Sequence, residues 1–240
     1  MDYYRDSEDG QAQADLNRLM DGTFSNQEAG MPEGTVHSEL LRRPGKLYVL
    51  ASNFHPDHFN KEVLQWREQR PDIIYIFSKD ILRHRRAQKE DAVWLKKGEE
   101  YKDETLSVRA FGSTDVGVSF LLQASGKKIF HAGDLNNWHW MDESTEAEWK
   151  GAEKNFLHEL DDLYAYTPEV DVAMFPVDPR LGKEYIRGAG QFVTKIKTHI
   201  FVPMHFTPEY AKANAFRDFA EAHGVRFVSL THRGQKIEIE

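Results

Sequence analysis

Apolar residues recur along this chain in short runs separated by polar loops. The runs at 47–52, 73–77 and 170–176 contain aliphatic and aromatic residues in succession, which predicts buried β-strands. The runs at 118–122 and 128–132 lie on either side of a Ser-Gly-Lys turn, a pattern that predicts a β-hairpin.

A second group of segments carries apolar residues at helical spacing. Residues 59–70, 146–165 and 211–223 follow this pattern, and the middle segment is long and charged on its outer face. Residues 235–240 alternate between polar and apolar types, which predicts a closing strand. Because strands and helices interleave along one chain, the sequence predicts an α/β fold.

The chain divides into two parts by composition. Residues 1–45 are polar and rich in acidic residues and glycine, and they predict an N-terminal segment or insertion without a core of its own. The regular pattern occupies residues 46–240, which we interpret as one domain. A chain of 240 residues is long enough for a single domain with a full core.

The charge and the residue types narrow the choice of partner. The formal net charge of -8 disfavours nucleic acid and anionic membranes, which attract positive surfaces. The sequence has no cysteine, so a metal site would have to use His, Asp or Glu. The first residues lack a basic start and an apolar run, and no run is long enough for a membrane span. We therefore expect a cytoplasmic protein with a small-molecule substrate.

Histidine and aspartate side chains directly follow three predicted strands, at 47–52, at 128–130 and at 199–203. In chain order these residues are His55, Asp57 and His58, then Asp134, and then His205. Side chains at strand ends are held by rigid elements and can converge at one edge of a sheet. Imidazole and carboxylate groups together suit Zn²⁺, Mn²⁺ or Fe, so the pattern predicts a metal site.

The motifs around these residues resemble a known family. The sequence Ser-Asn-Phe-His-Pro-Asp-His at 52–58 is similar to the Ser-His-x-His-x-Asp-His signature of the metallo-β-lactamase superfamily, with Asn53 in place of the first His. His-Ala-Gly-Asp at 131–134 resembles the later Gly-Asp motif of that superfamily. Val-Pro-Met-His-Phe at 202–206 resembles its last ligand loop, in the style of the ascorbate-6-phosphate lactonase-like branch.

The resemblance extends over residues 46–240 and implies an αββα sandwich. Residues 133–140 are also typical of a subgroup of uncharacterised bacterial metallo-hydrolases. Superfamily members usually open with a strand hairpin before a segment like the Asp-Tyr-Tyr at 2–4, so the resemblance implies either a truncated start without that hairpin or a sheet that closes differently. A missing strand would expose a sheet edge, which favours a homo-oligomer.

The resemblance implies two metal positions of unequal strength. The first position would use Asp57, His58, Asp134 and His205, all of which are present. The second position of the superfamily uses three histidines and the shared aspartate. In this chain its ligands would be reduced to the set His55, Asp115 and Asp134, with Asp115 standing in for the middle histidine. We therefore predict one tight position and one that is weak, altered or empty.

The function that follows is hydrolysis by a metal-activated water on an ester, lactone, amide or phosphodiester bond. Zinc is the favoured ion, with Mn or Fe as alternatives, at one or two ions per chain. Asp57 or Asp134 would orient the water or carry its proton. Four further residues near the motifs are candidates for substrate binding: His131, Trp138, His139 and Arg180.

Two other functions stay open at this level. The Asn53 replacement is compatible with a metal-binding protein that has a sensor or scaffold role and no catalysis. A nuclease of the same fold is a third hypothesis, which the negative charge disfavours. Loss of turnover with a chelator would separate the first hypothesis from the second.

Overall fold

A smaller sheet of three parallel strands forms the first half of the fold. This computed structural model describes residues 35–36, 38–206 and 209–239. The strands β1 (Tyr48–Ala51), β2 (Ile74–Ser78) and β3 (Val93–Leu95) lie side by side in that order. Aliphatic and aromatic residues dominate β1 and β2, as a parallel sheet covered on both faces requires.

A larger sheet of seven strands forms the second half. Its spatial order is β10-β9-β8-β7-β6-β5-β4, antiparallel from β4 to β7 and parallel from β7 to β10. As a result β5, β7, β8 and β9 all run in one direction. The strands are β4 (Glu100–Lys102), β5 (Ser107–Phe111), β6 (Ser119–Ala124), β7 (Lys127–His131), β8 (Glu169–Pro176), β9 (Lys197–Met204) and β10 (Arg226–Phe227).

Helices connect and cover the strands. The longest begins with a capping box in which the side chains of Thr145 and Glu148 each accept a hydrogen bond from the other residue's backbone N–H. No helix in the described ranges is long and apolar enough to cross a membrane. The helices are α1 (Ser38–Leu41), α2 (Lys79–Arg83), α3 (Glu146–Tyr166), α4 (Arg187–Lys195), α5 (Tyr210–Asn214) and α6 (Arg217–Ala222), with 3-10 segments at Lys61–Glu68, Lys89–Asp91 and Pro179–Glu184.

Three layers of buried side chains hold these elements together. Phe130 and Phe175 of the larger sheet pack against Phe192 of α4 on the outer side of that sheet. A second layer fills the space between the sheets, and a third places α1, α2 and the segment Lys61–Glu68 on the smaller sheet. The order helix, sheet, sheet, helix confirms the predicted αββα sandwich.

The strand β1 lies at an edge of the smaller sheet. In the part of the chain that is described, β1 pairs only with β2, and a cavity of about 560 Å³ lies beside it. The expected absence of an opening hairpin concerns residues 1–34, which lie outside the described residues. The boundary between a segment 1–45 and a domain 46–240 and the homo-oligomer both stay predictions.

Two predicted elements differ in the structure. The helix expected over 59–70 is a 3-10 segment over Lys61–Glu68, which begins where Asn60 accepts a hydrogen bond from the Glu62 backbone. The strand expected over 235–240 is absent from residues 235–239, which pair with no neighbouring strand. Alternation of polar and apolar residues shows which side chains face the protein, whereas a strand also needs a partner to receive its hydrogen bonds.

The stability of the fold depends on pH through the carboxyl group of Glu62. Its carboxylate is buried and accepts no hydrogen bond from any described residue. Burial raises the pKa of this carboxyl from 4.5 to about 7. Between these two values the folded chain binds more protons than the unfolded chain, so the free energy of unfolding falls as pH rises.

We expect Glu62→Gln to stabilise the protein at about pH 8 by about 2 kcal/mol and to have little effect at about pH 4. The figure is below the full shift because the glutamine amide is itself buried without a hydrogen-bond partner among the described residues, which costs part of the gain. Urea unfolding at both pH values measures this change in the free energy of unfolding. Glu68→Gln, an exposed change in the same segment, is the matched control. An equal gain at both pH values would show that charge burial is not the cause.

Candidate metal centre

Five loops meet at one edge of the sandwich, and four of them follow strands of the larger sheet that run in the same direction. His55, Asp57 and His58 follow β1, and Asp134 follows β7. His205 follows β9, while the loops after β5 and β8 contribute Asp115 and Asp178. The carboxyl ends of strands with a common direction lie together, so residues far apart in sequence become neighbours.

Four donor atoms converge on the first position. The Asp134 Oδ1 atom lies 2.9 Å from His58 Nε2 and 3.2 Å from His205 Nε2. The Asp57 Oδ2 atom lies 3.4 Å from His58 Nε2 and 3.5 Å from His205 Nε2. A tetrahedral zinc with ligands at about 2.0–2.1 Å holds those ligands about 3.3 Å apart. The donors therefore have the spacing and the chemistry of a ligand set.

Three donor atoms form a more open second position. The His55 Nδ1 atom lies 3.8 Å from Asp115 Oδ2 and 3.7 Å from Asp134 Oδ2. The side chains of His55 and Asp115 are 34% and 49% exposed, which leaves room for water beside them. Asp134 thus offers one carboxylate oxygen to each position. The structure brings together all six residues that the sequence predicts as metal ligands.

The Asn53 side chain forms hydrogen bonds within the protein and does not serve as a ligand at the second position. It is fully buried. Its Nδ2 donates to Asp134 Oδ2 at 2.8 Å, and its Oδ1 accepts from the His55 backbone N–H at 2.9 Å. A carboxylate only accepts and a backbone N–H only donates, so the neighbours fix the orientation of the amide. Both ends of the side chain are therefore occupied.

Buried partners orient the two histidines of the first position. The Ser52 hydroxyl lies 3.1 Å from His58 Nδ1, and Asp178 Oδ2 lies 3.0 Å from His205 Nδ1. Each contact leaves the Nε2 atom of its ring facing the donor cluster. Such partners fix the ring orientation and strengthen a histidine as a ligand. Asp178 was missed at the sequence level, although it follows a strand end as the other site residues do.

The pKa values within the first position reflect close pairing of charges. Burial would lower the pKa of His205, but hydrogen bonds to Asp134, Asp178 and Asp57 outweigh it and raise the pKa to about 11. Burial would raise the pKa of Asp134, but hydrogen bonds from His205 and His58 lower it to about 2. The same two histidines hold the pKa of Asp57 well below its usual range against the effect of burial. The carboxylates are thus ionised, and a cation here would replace a proton as their counter-charge.

Backbone conformation also marks this edge. His205 has φ of 59°, in the left-handed region that non-glycine residues rarely adopt, and such strain is common at functional sites. Gly117 has φ of 75°, and a Cβ there would lie 2.1 Å from the Ser52 carbonyl oxygen. Only glycine therefore lets the loop after β5 pack against the end of β1, where Val118 donates to Ser52.

Trp138 and Arg180, two of the predicted substrate-binding residues, flank the first position. The Trp138 ring lies 5.5 Å from the His205 ring, and its Nε1 donates to the Asp134 carbonyl. Arg180 forms an ion pair with Asp178, yet its side chain is 55% exposed. Both side chains therefore lie beside the His205 ring, and substrate binding by them stays a prediction.

The other two candidates for substrate binding, His131 and His139, accept hydrogen bonds from backbone groups. His131 is buried in β7, accepts from the Gly133 N–H at 3.1 Å and lines the cavity that also reaches Asp57 and His58. His139 lies in a loop, where its Nε2 meets the Glu184 carbonyl at 3.2 Å and its Nδ1 accepts from the Met141 N–H. These backbone contacts occupy both nitrogens of His139, so its surroundings favour a structural role. Substrate binding by both residues stays a prediction.

Comparison with known proteins shows the fold. No family model and no curated protein matches the sequence. Among solved structures, the chain is similar to CmlA, a diiron beta-hydroxylase from Streptomyces venezuelae, with 14% identity and a TM-score of 0.55 over 84% of this chain, which spans 46% of CmlA. It is also similar to Igni18, a metallo hydrolase from Ignicoccus hospitalis, with 18% identity and a TM-score of 0.52 over 78% of this chain and 77% of that one.

A third similar structure is that of a metallo-beta-lactamase fold protein. YhfI from Bacillus subtilis, a metallo-beta-lactamase fold protein, has 10% identity and a TM-score of 0.50 over 79% of this chain and 76% of that one. At these identities the likeness concerns fold and not activity. The chain therefore has the metallo-β-lactamase fold.

Proposed function

We propose that this chain is a metal-dependent hydrolase whose cation is held by Asp57, His58, Asp134 and His205. The observation that carries the proposal is the convergence of four donor atoms with 2.9 to 3.5 Å between neighbouring carboxylate and imidazole atoms. Two imidazoles and two carboxylates suit zinc, with manganese or iron as alternatives. The likeness to Igni18 and the residues of the 52–58 motif support the same reaction class.

The two carboxylates of this position have different surroundings and would have different roles. When bound, a divalent cation lowers the pKa of water and polarises a carbonyl or phosphoryl oxygen. The side chain of Asp57 is 47% exposed, whereas that of Asp134 is 4% exposed. Of these two carboxylates only Asp57 is open to solvent, so we assign proton transfer to Asp57 in addition to its place in the ligand set, and metal binding alone to Asp134.

The surroundings of the centre suit a small substrate with an anionic or polar group. Trp138 offers an aromatic face beside His205, and Arg180 offers a partly exposed guanidinium next to the same ring. We propose that Trp138 orients the substrate and that Arg180 binds a carboxylate or phosphate on it. The bond that is cleaved is an ester, lactone, amide or phosphodiester.

The hydrolase proposal predicts a metal-dependent turnover. Metal-free protein prepared with a chelator is reconstituted with Zn²⁺, Mn²⁺ or Fe²⁺ and assayed against chromogenic esters, lactones and phosphodiesters. We expect the metal-free protein to be inactive and one ion to restore turnover on one bond class. Asp57→Asn should lose most of that turnover because its neutral amide neither accepts the proton nor binds a cation as strongly as the carboxylate does. Turnover that persists without metal would contradict the proposal.

A non-catalytic metal-binding role is the alternative. The occupied amide of Asn53 favours it, because the second position lacks a nitrogen ligand at that place. Metal binding in a definite stoichiometry without turnover on any bond class would support this alternative. A sensor would also show a change of thermal stability at a free metal concentration near its dissociation constant.

A further inference from the structure

We propose that Asn53 limits this centre to one tightly held zinc and leaves the second position to a weakly held, exchangeable cation such as Mn²⁺. The inference rests on the proposed metal centre. It assigns Asn53 as the residue that determines metal stoichiometry and selectivity. Its basis is a pair of hydrogen bonds. The Asn53 amide donates to the carboxylate of Asp134 and accepts from the backbone N–H of His55.

The two positions differ in their donor atoms. The first has two imidazole nitrogens and two carboxylate oxygens, whereas the second has the single nitrogen of His55 with the oxygens of Asp115 and Asp134. Nitrogen ligands favour zinc, while carboxylate and water ligands suit manganese and magnesium. The exposure of His55 and Asp115 leaves places for water, which such ions retain. The preference for binding zinc over manganese is therefore smaller at the second position than at the first.

Asn53 weakens the second position in a further way. Its N–H group donates to Asp134 Oδ2, the oxygen that this position would use. A donor and a cation compete for the electron pairs of the same oxygen, so the hydrogen bond reduces what Asp134 offers to a second ion. The other oxygen, Oδ1, faces His58 and His205 and stays available to the first.

Replacement of Asn53 by histidine should reverse both effects. An imidazole would add a nitrogen ligand, and its neutral form offers an acceptor nitrogen where the amide now donates. Changes to the partners of metal ligands alter affinity by roughly 10–100-fold, so we expect the second zinc to bind at least about tenfold more tightly in Asn53→His. We expect the affinity of the first zinc to change far less.

The test measures binding and not turnover. Metal-free wild type and Asn53→His are loaded with excess Zn²⁺, passed through gel filtration and analysed for zinc per chain. In a separate experiment each metal-free protein receives one equivalent of Zn²⁺, Mn²⁺ is titrated in, and the free Mn²⁺ is followed by electron paramagnetic resonance. We expect one zinc in the wild type and two in Asn53→His. We also expect one further Mn²⁺ in the wild type, which excess zinc displaces at least about tenfold more readily from Asn53→His.

Two further variants keep the proposal open to refutation. Asp115→Asn should abolish the Mn²⁺ titration and leave the first zinc in place, and this test does not need the buried substitution to fold. Asn155→His adds an imidazole on the exposed face of α3 and should leave zinc at one per chain. Two zincs in the wild type, or one in a folded Asn53→His, would overturn the proposal. A wild type that binds no zinc at all would instead refute the proposed metal centre itself.

Discussion

The double variant Asp57→Ala, His205→Ala should retain no tightly bound metal, whereas the wild type purified without added metal should carry about one zinc, manganese or iron per chain. The variant removes two of the four donors that converge on the first position. The remaining His58 and Asp134 are too few to hold a cation against a chelator. Metal analysis of the purified proteins by mass spectrometry gives the result directly.

The matched control for this variant is a histidine on β9, the strand that precedes His205. His199 is exposed on β9 and pairs with Glu169, away from the metal-binding edge. His199→Ala should keep the metal content of the wild type. A double variant that folds and still carries one ion per chain would show that the metal is held elsewhere. Circular dichroism of each protein establishes that the loss of metal does not follow from unfolding.

Asp178→Asn should weaken zinc binding by roughly 10–100-fold, although Asp178 is not a proposed ligand. Its Oδ2 atom lies 3.0 Å from His205 Nδ1 and holds the ring so that Nε2 faces Asp57 and Asp134. Asparagine has the same shape but lacks the negative charge that makes the imidazole a stronger donor to a metal. Competition with a zinc-binding dye measures the dissociation constant.

Arg180 allows the effect of orientation to be separated from that of local charge. Arg180→Gln removes the guanidinium that pairs with the buried Asp178 and leaves the carboxylate next to His205. We expect this variant to bind zinc nearly as the wild type does, because Asp178 still orients the ring. If Asp178→Asn and Arg180→Gln had equal, small effects, the negative charge of Asp178 would not strengthen His205 as a ligand. A loss in Arg180→Gln alone would assign that role to the guanidinium.

Local patterns in the sequence were sufficient for much of the fold. The predicted strands at 47–52, 73–77 and 170–176 correspond to β1, β2 and β8, because a run of apolar residues identifies a buried strand wherever it lies. The hairpin around 125–127 is also present, since its turn residues are adjacent in the chain. The short strands β3 and β4, with three residues each, carried too little pattern to be predicted.

The strand-end motifs of the sequence also predicted most of the histidines and aspartates that lie together at this edge, although Asp178 was not among them. The motifs did not determine the partners of these side chains. The contacts of Asp178 with His205 and of Asn53 with Asp134 join residues that are 27 and 81 positions apart. Such contacts depend on the register between strands and on the packing of two sheets, which no local pattern encodes. The motifs therefore predict the candidate ligands and the unequal strength of the two positions, while the contacts that hold these side chains in place arise only in the tertiary structure.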